Sequence, residues 1–137
     1  MDVIERRERE RVIKEAKDWV ASIKGVYSAF LIGSYSRGDF NEGSDVDVLL
    51  IGEFNEENPV KRLFAIGSPP GYEVIPLTER EFFEKSRKNN PIIWDIKERG
   101  VVLKDDLNLC KRAQLNCVEL RSYLVIYSHY PISVVSE

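Results

Sequence analysis

The sequence predicts an α/β fold: a small mixed β-sheet of about three to five strands flanked by helices. Three observations carry this reading. The apolar segments "VYSAFLI", "DVDVLLIG" and "YEVIPL" hold β-branched and aromatic residues and are each too short for a typical helix. Stretches with helical periodicity or helix-capping signals lie around and between them. At 137 residues the chain has the size of one domain with a core of its own.

Taken in order, residues 3–24 read as a helix. Val12, Ile13, Ala16, Trp19, Val20 and Ile23 recur at helical spacing, while the first turns are nearly all charge. Opposite-sign pairs Glu10–Lys14 and Lys14–Asp18 stand at i,i+4, as expected of a solvated face. Gly25 stops this helix. Residues 26–32 form a first strand. "GSYSRGDFNEGS" then gives a turn, with a short helical turn at Ser34–Arg37, and a loop. "DVDVLLIG" is a second strand. Residues 53–71 are loop-like, with a short helix through Ala65 capped by Asn58 before Pro59. "YEVIPL" is a third strand, ended by Pro76. Thr78 and Glu81 have capping-box spacing and open a helix. Pro91 opens another, with Ile92, Ile93 and Ile96 as its apolar side and Gly100 as its stop. "VVL" is a fourth short strand. From Asp106 a long helix is expected. Cys110, Ala113, Cys117, Leu120, Leu124 and Tyr127 step by three and four and make a seam that could pack on the sheet or join two copies or a partner. The expected organisation is one domain over 1–137, with its core at about 10–105 and a C-terminal helix and tail over 106–137.

Bulk properties exclude some functions. The chain is 31% charged but carries a net charge of −3, so it lacks the basic field of a dedicated duplex binder, and nucleic acid is not the expected partner. No apolar run has membrane-spanning length and no signal-peptide core is visible, so a cytoplasmic protein is expected. Cys110 and Cys117, two helical turns apart, would have Cα atoms roughly 10 Å apart, too far for a disulfide. They read as buried thiols on a helix face. No histidine lies near them in sequence, so zinc has little support.

The chemistry concentrates in "GSYSRGDFNEGSDVDVLL". Side chains alternate along a strand, so Asp45 and Asp47 share one face, roughly 7 Å apart at Cα, and Val46 and Val48 share the other. Neighbouring carboxylates repel unless a cation lies between them. Mg²⁺ typically binds through one or two carboxylates plus substrate phosphates. Two such ions can clamp the attacking and leaving oxygens of nucleotidyl transfer. Gly33 lets the backbone turn tightly, Ser34 offers a hydroxyl, and Arg37 adds a charged fork for a triphosphate. Each signal alone is weak. Gly-Ser, ten residues, then Asp-x-Asp is expected by chance on the order of 10⁻³ times in such a chain.

These residues resemble the signature of the DNA polymerase beta-like nucleotidyltransferase superfamily, and more narrowly the minimal nucleotidyltransferases. The resemblance spans roughly residues 10–105. It implies a nucleotidyltransferase fold, ATP as substrate and two Mg²⁺ ions held by Asp45 and Asp47. It implies that Gly33 and Ser34, with Arg37, handle the triphosphate. A third carboxylate belongs on a later strand, and Glu73 in "GYEVIPLT" fills it, where the family more often has Asp. Asp95 is the fallback, although it falls on a predicted helix. The family implies AMP transfer to an acceptor hydroxyl. It further implies the antitoxin role in a toxin–antitoxin pair, with a HEPN-type helical protein as the partner that is AMPylated. The competing readings are a partner-binding or nucleotide-binding module without catalysis, motivated by the Cys110–Tyr127 seam, and a nucleic-acid end-tailing enzyme, against which the acidic balance argues.

Overall fold

The computed structural model describes residues 1–118. Its first element, α1 (Val3–Ser22), starts with a full capping box between Asp2 and Glu5. The apolar face read from the sequence is the packed one: Val12, Ile13, Ala16 and Val20 are buried. Lys14 pairs forward with Asp18 at 3.0 Å and Arg11 bridges Glu8 and Glu15. The expected Glu10–Lys14 pair is not among the ion pairs of the described residues.

Next come β1 (Tyr27–Ile32), α2 (Gly33–Arg37), β2 (Val46–Gly52), α3 (Pro59–Ile66), β3 (Tyr72–Thr78), α4 (Glu79–Arg87), α5 (Pro91–Arg99), β4 (Gly100–Asp105), α6 (Leu109–Arg112) and β5 (Cys117–Val118). Two caps were legible in the sequence, at Asn58 and at Thr78–Glu81, while the Asn90 cap goes with the helix start that Pro91 marked. Asn58 Oδ1 accepts from Val60 N–H, Asn90 Oδ1 from Ile92 N–H, and Thr78 and Glu81 cap each other.

The five strands form one sheet in the order β3-β2-β1-β4-β5. β1 is antiparallel to both β2 and β4, whereas β2–β3 and β4–β5 are parallel, so the sheet is mixed. Alternation along the strands divides the core into two. Val48, Leu50, Ala29, Leu31 and Val101 pack with α1 on one face. Leu49, Ile51, Phe30, Phe82, Ile93, Ile96 and Leu109 pack together on the other. Burial of a large apolar side chain in such a layer contributes about 1.5–3 kcal/mol.

β3 does not end at Pro76 but continues to Thr78. β3 is an edge strand, where a missing N–H is tolerated. The Pro76 carbonyl accepts from the buried Arg62 Nη1 at 3.0 Å. Arg62 also donates to the Glu56 carbonyl at 2.6 Å and forks onto Glu81 at 2.7 and 3.1 Å, so it clasps α3, β3 and α4 together.

The C-terminal expectation is overturned. There is no long helix from Asp106: α6 covers only Leu109–Arg112, and the chain turns through Gln114 at φ 56° before β5 begins. Cys110 and Cys117 therefore sit on different elements with Cα atoms 6.1 Å apart, and they form a disulfide. The distance argument against it assumed a continuous helix, and that premise fails. Cys110, Ala113 and Cys117 do not share a helical seam. Leu120, Leu124, Tyr127 and the tail over 128–137 lie outside the described residues.

Candidate active site

The register of the sheet builds the site. Ile32 at the end of β1 is opposite Asp47 on β2, and Asp47 is opposite Glu73 on β3. Val46 and Val48 face the α1 core, so Asp47 between them faces the other way. Gly33 follows Ile32 directly with φ +76°, a conformation unfavourable for other residues. A Cβ there would come 2.2 Å from Asp47 Oδ2. Glycine is thus required twice, by the turn and by the carboxylate against its backbone.

Asp45 stands just before β2 rather than within it, and is exposed. Ser34 continues the turn behind Gly33, and its carbonyl accepts from Gly38 N–H at 2.7 Å and Asp39 N–H at 3.1 Å. Arg37 closes α2; its Nε donates to Asp39 Oδ2 at 3.1 Å and its Nη1 to Asp95 Oδ2 at 3.5 Å. The fallback carboxylate Asp95 lies on α5 and holds Arg37 rather than joining the sheet.

Asp47 is the electrostatic centre. Burial pushes its carboxyl up to about 6, and the charges of Glu73 and Asp45 and a carboxyl contact with Glu73 add to the rise, while Arg37 opposes it. Its Oδ1 is buried with no hydrogen-bond partner. The Arg37 guanidinium is raised, chiefly by its hydrogen bond to Asp39.

The donor set fits a divalent cation in an open way. Among the described residues no group of three Asp, Glu, His or Cys side chains is close enough to cage an ion. Mg²⁺ does not need such a cage, since it keeps waters and takes one or two carboxylates plus phosphate oxygens. The unpartnered buried oxygen of Asp47, crowded by two other carboxylates, is what a cation would satisfy.

One contributor was hidden in the N-terminal charge run. Arg9 Nε donates to the Tyr35 carbonyl at 2.6 Å and its Nη2 to the Ser36 carbonyl at 3.0 Å. It thereby ties α1 to the turn that carries Ser34 and Arg37. No spacing signal separated Arg9 from its neighbours Arg6, Arg7 and Arg11.

The fold is that of a nucleotidyltransferase. A solved structure described as a "putative nucleotidyltransferase" from Sulfolobus solfataricus superposes with a TM-score of 0.52 at 24% identity, covering 61% of this chain and 82% of that one. The model of the nucleotidyltransferase domain family matches residues 11–128, and the chain belongs to that family. A Methanocaldococcus jannaschii protein named "putative protein adenylyltransferase" is 27% identical over 95 residues, covering 66% of this chain and 95% of that protein. Among the described residues no helix is long and apolar enough to cross a membrane.

Proposed function

We propose that this protein moves AMP from ATP to a hydroxyl of a protein acceptor, with Mg²⁺ as its cofactor. The acceptor oxygen would bond to the α-phosphorus, the bond to the bridging oxygen of pyrophosphate would break, and pyrophosphate would leave. The carrying observation is the buried, unpartnered Asp47 oxygen beside Glu73 and against the Gly33 turn.

Asp45, Asp47 and Glu73 are the residues that would hold the metal. Bound there, it would offset charge on the phosphates and activate the attacking oxygen. Gly33 leaves room for the backbone to approach the triphosphate, and Ser34 supplies a hydroxyl donor on the same turn. Arg37 offers a guanidinium to the departing pyrophosphate. Glu73, exposed at the sheet edge, would take the proton of the acceptor hydroxyl.

The name of the M. jannaschii relative supports a protein acceptor. The resemblance to minimal nucleotidyltransferases supports a HEPN-type partner and an antitoxin role. The test is incubation with labelled ATP, Mg²⁺ and candidate acceptors, with Asp47→Asn alongside. Label on a HEPN-type protein, lost in the variant, is the expected result. No transfer to any acceptor by either protein ends the proposal. Neutralisation of the partner by an Asp45→Ala/Asp47→Ala double variant without added AMP would instead favour contact alone.

A further inference from the structure

The Cys110–Cys117 disulfide joins α6 to β5. Cys110 is held firmly. Its N–H donates to Asp105 Oδ2 at 3.0 Å, and Asp105 Oδ1 accepts from Leu109 N–H at 2.7 Å and from the fully buried Ser28 hydroxyl at 2.6 Å. Cys117 lies on β5, whose described residues Cys117 and Val118 pair with Gly100 and Val101 of β4.

β5 packs against α5 as well as β4. Gly100, the residue after α5, donates its N–H to the Asn116 carbonyl at 3.1 Å. Asn116 Nδ2 reaches the Glu98 carbonyl in the last turn of α5 at 3.4 Å. A Cβ on Gly100 would lie 3.6 Å from Cys117 Sγ, so the sulfur sits against the junction of α5 and β4. α5 in turn packs on α2, and its Asp95 holds Arg37 of the nucleotide site.

We propose that the Cys110–Cys117 disulfide is a thiol-sensitive staple that fixes β5 against the end of α5 and so keeps Asp95 in place to orient Arg37 for the triphosphate. Its effect on nucleotide rests on the nucleotidyl-transfer reading; its effect on α5 does not. A dithiol reductant opens the staple. One of its thiolates attacks one protein sulfur, the Cys110–Cys117 S–S bond breaks, and the other cysteine leaves as a thiolate. The second reductant thiolate attacks the reductant sulfur of the mixed disulfide and expels the remaining cysteine as a thiolate. The reductant gives up two electrons and becomes a disulfide, the protein disulfide takes them up, and protons released by the reductant thiols leave two protein thiols. Both cysteines are partly exposed residues at the margin of the second core cluster. With the staple open, β5 loses its covalent tie to α6 and the last turn of α5 loses a fixed neighbour.

The test begins with air-oxidised full-length protein. Iodoacetamide should add to both cysteines only after reduction; addition to both in unreduced protein overturns the staple. Hydrogen exchange should speed up about tenfold or more at Gly100 and in the last turn of α5 on reduction, with β1 and β2 unchanged. Equal protection of α5 in both states overturns it. A Cys110→Ser/Cys117→Ser variant should match the reduced protein and ignore the reductant, which separates the staple from general effects of thiols. Retention of the oxidised pattern by that variant also overturns it. Mg–ATP should bind about threefold to tenfold more weakly to reduced wild type, with no redox response in the variant. Unchanged or tighter binding on reduction overturns the link to Arg37. No binding in either state overturns both that link and the nucleotidyl-transfer reading, while the α5 exchange pattern reports on the staple separately.

Discussion

At Asp47 one carboxyl serves two opposed demands. It is partly buried and crowded by like charge, which costs stability, and that same crowding is what a bound cation would relieve. Its raised pKa fixes the sign of its pH effect. The folded state holds the proton more tightly than the unfolded one, so this contribution favours folding at low pH. It is lost as pH rises from about 4 through about 6. Asp47→Asn should therefore raise the melting temperature at pH 7.5 by about 3–6 °C, with a much smaller gain near pH 4. The same variant should lose about 10²-fold or more of transfer activity. A melt at the two pH values and an AMP-transfer assay check the pair of effects; a variant less stable at pH 7.5 would contradict the crowding argument. Gly33→Ala acts from the other side of the contact. Its methyl would collide with Asp47 Oδ2, and its φ is unfavourable, so a loss of about 1–3 kcal/mol is expected by denaturant titration, with transfer activity reduced more than tenfold.

At the scale of elements, the sequence was most informative where local chemistry decides structure. The caps at Asn58 and Thr78, the helix start at Pro91 and the apolar face of α1 could be read because each signal lies within a turn or two of chain. Gly33, Asp47 and Glu73 could be listed as candidates, but their adjacency depends on strand order, which composition does not encode. The end of the described chain misled for the opposite reason. The steps from Cys110 to Cys117 fit a helix, yet the Gln114 turn and the β4 edge took precedence. Tertiary partners also explain Arg62, a cation in the loop-like stretch that is 4% exposed because Glu81, Glu56 and Pro76 surround it. Its bidentate bond holds the Glu81 carboxyl down at about 2. The resulting stability is present above about pH 4.5 and is lost as pH falls toward 2. Arg62→Met should flatten that acid-side slope. Arg62→Ala should cost about 2–3 kcal/mol, less than for a fully buried pair because Glu81 is partly in solvent. Urea titrations between pH 2.5 and 7 would show both effects.

For the molecule as a whole, the site is open to solvent on one side and supported by a two-layered core on the other. Such a site gains its missing partners from the ligand. Mg–ATP at 100 times its Kd should stabilise the wild type by about 2.7 kcal/mol. EDTA should remove most of that gain, and Asp47→Asn should abolish it. Thermal melts with ATP alone, Mg²⁺ alone and both together give the comparison, and equal stabilisation by ATP with and without Mg²⁺ would contradict the metal assignment.

The parallel pairing of β2 with β3 has a consequence for the order in which competence arises. β1 and β2 are joined through α2, and β3 pairs with β2 only after the chain has also passed through α3. Non-local parallel pairings form slowly, because loop closure must precede their contacts. Glu73 is thus delivered to Asp47 by a non-local parallel pairing, separate from the antiparallel β1–β2 pairing that brings Ile32 beside Asp47. A nascent or partly folded chain can carry the Gly-Ser turn and both aspartates and still lack the third carboxylate. Register also guards the site, since a slip of one residue on β3 would present Tyr72 or Val74 in place of Glu73. Correct pairing of β3 with β2 is therefore what completes the Asp47–Glu73 arrangement.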